Sequence, residues 1–64
     1  MTIQELARQA VEHIKTANGR LHCSDVSDAY LTHLEKQGAN HGVCEHFLQL
    51  FNTELKKEGL TPLF

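Results

Sequence analysis

The sequence predicts an all-α fold: a single domain over residues 1–64, a small three-helix unit with helices near 3–17, 25–37 and 41–58 joined by short loops. Three observations carry that expectation. Apolar residues recur at spacings of three and four, a capping residue precedes each periodic run, and a glycine follows each one. No strand-like alternation, internal repeat or low-complexity stretch interrupts the pattern.

The first helix opens at Thr2, three residues before Glu5, the spacing of a capping box. The Thr2 hydroxyl can accept from the Glu5 amide while the Glu5 carboxylate reaches back. Met1 and Leu6 occupy the hydrophobic-staple positions around that cap. Ile3, Leu6, Ala7, Ala10, Val11 and Ile14 then form a narrow apolar stripe, and Asn18-Gly19 stops it.

Ser24 is the expected cap of the second helix, with Asp25 and Asp28 placing negative charge where the helix dipole favours it. Val26, Tyr30 and Leu34 line one face, Ala29 sits beside them and Leu31 lies on the flank. Gly38 ends this helix, and Asn40 caps the third. There Val43, Cys44, Phe47, Leu48, Leu50, Phe51 and Leu55 spread over an arc of about 160°. Gly59 and Pro62 close it, leaving the apolar tail Leu60-Thr61-Pro62-Leu63-Phe64.

Composition excludes several classes of function. Six Lys/Arg against eight Asp/Glu give a net charge of −2, without the basic excess of a nucleic-acid binder. No apolar run approaches the roughly 20 residues needed to span a bilayer. Residues Met1–Glu5 show neither the basic nor the apolar region of a secretory signal. Two cysteines are too few for a disulfide scaffold. The expectation is a cytoplasmic protein with no membrane contact.

The five histidines, His13, His22, His33, His41 and His46, raise the question of zinc together with Cys23 and Cys44. His41 and Cys44 are three apart on a helix, and Cys23 with His22 or His33 would complete a tetrahedron. The spacing argues against it, because no C-x-x-C or H-x-x-x-H pair is present and Cys44 falls inside the apolar arc as a core thiol. His33 projects to the inner side of the second helix, as a half-packed boundary residue. No metal and no cofactor are expected.

No Gly-rich phosphate loop or G-x-S-x-G sequence occurs, and a domain this small seldom offers a cleft for an acid and a base, so no catalytic residue is assigned. Glu54 projects into the apolar arc, and the expectation is a solvated charge where the third helix frays. The second and third helices with their Gly38 turn have helix-turn-helix order. The reading helix would begin Asn40-His41-Gly42-Val43-Cys44-Glu45-His46, with no Lys or Arg and with Glu45 directed at phosphates. DNA binding is therefore the alternative, and a zinc-stabilised domain the third option.

The favoured expectation is a small non-catalytic accessory regulator, of bacterial or phage type, that binds another protein or itself as a homodimer. The wide arc of the third helix exceeds what its neighbours need, and its margins, the flank of the second helix and the tail nominate Leu48, Leu50, Leu31, Leu63 and Phe64 as interaction residues. The competing outcome is that the tail folds back and covers the surplus.

Overall fold

The computed structural model describes residues 2–64 and contains three helices: α1 (Ile3–Ala17), α2 (Cys23–Lys36) and α3 (His41–Lys57). The staple expected of Met1 lies outside the described residues. Each expected helix is present, and α1 has the expected bounds.

At the start of α1 the Thr2 hydroxyl accepts from the Glu5 amide at 3.1 Å and donates to the Glu5 carboxylate at 3.2 Å. Asn18 ends the helix in the left-handed region at φ 56°, which asparagine tolerates better than most side chains. Asn40 caps α3 through its Oδ1, which accepts from the Val43 amide at 2.9 Å.

α2 differs from expectation. It starts two residues early, with His22 at the cap and no side-chain cap bond, so Ser24 is inside the helix. The Val26 amide closes the first turn on the His22 carbonyl at 3.1 Å, and Cys23 packs against the core. Asp25 stays in the first turn and Asp28 moves out of it.

The buried face of α2 also differs at its edges. Ser27 is buried, whereas Ala29 and His33 are exposed, which corrects the inward placement of His33. Ser27 tolerates burial because its hydroxyl donates to the Ser24 carbonyl at 2.8 Å. A polar residue satisfied by its own helix counts as apolar for packing, and the sequence pattern hides it.

α1 and α3 share the larger interface, and α2 lies more lightly on both. The core consists of Ala7, Ala10, Val11 and Ile14 from α1, Val26 and Leu34 from α2, and Phe47, Phe51 and Leu55 from α3. Small side chains on α1 meet large ones on α3 across one seam.

Phe47 is fully buried and stacks on Tyr30 of α2 at 5.9 Å between centroids. Phe51 continues the stack at 5.8 Å, and His13 of α1 meets Tyr30 edge-on at 5.9 Å. An aromatic ladder thus ties all three helices together.

Glu54 corrects a second expectation. Its side chain is only 13% exposed and sits 3.6 Å from both Arg8 Nε of α1 and Lys57 Nζ. It is a clasp across the main seam, not a solvated charge on a fraying end. Lys15 makes a similar contact, 3.4 Å from Glu58.

Gly59, at φ +71°, turns the chain back along the bundle, and the Leu60 amide donates to the Leu55 carbonyl at 2.9 Å. Leu60 and Leu63 then pack against the core. The tail therefore does fold back. The accessible surface is 4352 Å², close to the roughly 4,100 Å² typical of a monomer of this mass. Among the described residues only Leu21 and Phe64 are exposed large apolar side chains, at 43% and 70%.

Candidate interaction surface

Asn52 organises the tail. It is 3% exposed, on the flank of α3 beside Leu48. Its Oδ1 accepts from the Leu63 amide at 2.6 Å and the Phe64 amide at 3.3 Å, and its Nδ2 donates to the Phe64 backbone oxygen at 3.0 Å. The carboxamide thereby gathers two consecutive amides and one backbone oxygen of the tail onto a single side chain. Cys23 adds a weaker tether from its thiol to the Thr61 carbonyl at 3.7 Å. Every buried side-chain nitrogen and oxygen among the described residues has a hydrogen-bond partner.

This clamp sets an alternation. With the backbone fixed at both residues, Leu63 packs against the core and Phe64 stands in solvent. Phe64 joins Leu48, Glu45 and Gln49 around a shallow groove of about 240 Å³ on the outside of α3.

The other nominated residues are distributed differently. Leu31 and Leu50 are half-buried and pack against the core, as does Leu63. Leu48 is half-buried and lines the groove with Phe64. The structure thus brings Leu48 and Phe64 together and places Leu31, Leu50 and Leu63 mainly in the packing of the domain. Asn52 was missed by the sequence reading. Its one signal is an indifferent helix former beside the margin of an apolar face, followed by an apolar tail.

Further concave regions lie elsewhere. Leu21, Cys23 and Thr61 are common to adjoining grooves of about 490 and 430 Å³ at the end of the bundle where α1 meets the tail. Leu6, Gln9, Ala29, Tyr30 and His33 line a smaller one, about 270 Å³, between α1 and α2. Burial raises the Tyr30 phenol above its ordinary 10.0.

All five histidines are exposed, and His41 Nε2 lies 3.2 Å from Glu45 Oε1. Cys23 and Cys44 are free thiols, half-buried against the core. Among the described residues no three His, Cys, Asp or Glu side chains are grouped to hold a metal ion, and no helix is long and apolar enough to cross a membrane.

The fold defines a class only, an all-α three-helix domain. No protein-family model, curated protein or solved structure matches the chain. The functional reading rests on the geometry of Leu48, Asn52 and Phe64.

Proposed function

We propose that this chain is a small non-catalytic helical module that works by protein–protein contact, through the face of α3 that carries Leu48 and Phe64. One observation carries the reading. A buried asparagine spends three hydrogen bonds fixing the last two residues so that the larger side chain, Phe64, stands 70% exposed beside a half-buried leucine. Rigid, outward aromatic anchors flanked by polar rims are the residues that dominate binding energy at protein interfaces. Glu45 and Gln49 supply the rim. The even charge balance and the absence of a cation in the first turn of α3 favour a protein partner over nucleic acid. A cytoplasmic accessory regulator, of bacterial or phage type, is the setting this reading suits.

A photoreactive phenylalanine analogue at position 64 of the full chain tests it, with Gln4 on the exposed side of α1 as the control position. Illumination in cells should give one discrete protein adduct from position 64 and none from position 4. No adduct from position 64, nor from 48, removes this face as the binding surface.

A further inference from the structure

The outer face of α3 has a polarity that Phe64 alone does not explain. At 100° per residue, His41, Glu45, Leu48, Gln49, Asn52 and Lys56 fall within an arc of about 100°. Asn52 is covered by the tail, so the accessible stripe runs from Glu45, past Leu48, Gln49 and Phe64, to Lys56. Its acid lies toward the start of the helix and its base toward the end. Lys56 has no ion-pair partner among the described residues, in contrast to Lys57, which Glu54 engages. Among the described residues Glu45 has no ion-pair partner but His41 on its own helix.

A stripe with an acid at one end, a base at the other and an apolar middle is complementary to itself when inverted. Two copies laid antiparallel about a two-fold axis near residues 50–51 bring Glu45 of each opposite Lys56 of the other. The two Phe64 rings then flank the axis, each over the middle of the facing helix. Two-fold contacts are isologous, so a single acid–base pair on one chain is used twice. A parallel arrangement would set Glu45 against Glu45 and Lys56 against Lys56.

We infer that the partner of this face is a second copy of the chain, docked antiparallel along α3 with Phe64 as its anchor and Glu45–Lys56 pairs fixing the register. The inference rests on the interaction reading above and adds the identity and orientation of the partner.

Sedimentation equilibrium of the full chain tests it, with circular dichroism confirming that each variant stays helical. The wild type should dimerise, and Phe64→Ala should weaken the dimer tenfold or more. Glu45→Lys alone and Lys56→Glu alone should each weaken it about tenfold, since each reversal converts two attractions into two repulsions. The double reversal, Glu45→Lys with Lys56→Glu, should restore it to within about threefold of the wild type. A dimer that the double reversal fails to rescue overturns the antiparallel register. A wild type that stays monomeric at millimolar concentration overturns the second copy as partner. If position 64 then still yields an adduct heavier or lighter than a dimer, the interaction reading survives without this inference.

Discussion

Tyr30 and Phe47 stack with their rings near parallel, the centroids 5.9 Å apart and the planes 9° from parallel. That contact is the middle of the ladder from His13 to Phe51, and through it the lightly packed α2 is joined to the α1–α3 pair. The ladder and the Asn52 clamp are where the fold is most open to test.

Phe47 is fully buried at the centre of the ladder, so Phe47→Ala removes core contacts to two other aromatic rings. The expected loss is about 3–5 kcal/mol. That is a large share of the roughly 3–10 kcal/mol available to a chain of this length. In the monomer, Phe64→Ala should change stability by about 0.5 kcal/mol or less, because the side chain it truncates is 70% exposed there. Urea unfolding of the two variants measures both, and similar losses would contradict the assignment of Phe47 to the core and Phe64 to the surface.

Asn52→Ala leaves the amides of Leu63 and Phe64 without their acceptor. The expected cost is about 1–3 kcal/mol. Hydrogen exchange distinguishes this from a general loss of stability. Protection at residues 63 and 64 should collapse while the amides of α1 keep theirs. Unchanged exchange at the two tail amides would show that the clamp does not hold the tail.

Tyr30 is the sole tyrosine, so tyrosinate absorbance reports its titration directly. Burial raises its folded-state pKa above 10.0, so the folded state holds the phenolic proton more tightly than the unfolded chain does. The contribution of the neutral phenol is fully present below pH 10 and is lost as pH rises through the folded pKa. Wild-type stability should therefore fall more steeply above pH 10 than that of Tyr30→Phe. Parallel stability curves for the two proteins would contradict the shift.

Glu54 bridges Arg8 and Lys57 from a site that is largely shielded. Glu54→Gln should destabilise by about 0.5–1 kcal/mol, with part of the loss disappearing at high salt. A double-mutant cycle with Arg8→Ala isolates the cross-helix part, and a coupling energy near zero would return Glu54 to the role of a solvated charge.

The sequence by itself determined the three helices, the caps at Thr2 and Asn40, the stops at Asn18 and Gly59, and the apolar face that carries Phe47, Phe51 and Leu55. These are local matters, set by backbone hydrogen bonds within a few residues and by the period of apolar side chains. Only the tertiary structure decided the edges of the buried face of α2: Val26, Tyr30 and Leu34 pack inward as expected, but Ser27 is buried and His33 exposed. Tertiary structure likewise turned Glu54 from a frayed end into a clasp, since Arg8 lies 46 positions away in sequence. It also divided the apolar surplus of α3 and the tail, burying Leu63 against the core and leaving Phe64 in solvent. That division follows from three hydrogen bonds to Asn52, whose partners lie 11 and 12 residues further along the chain and come within reach only after Gly59 has turned the tail back.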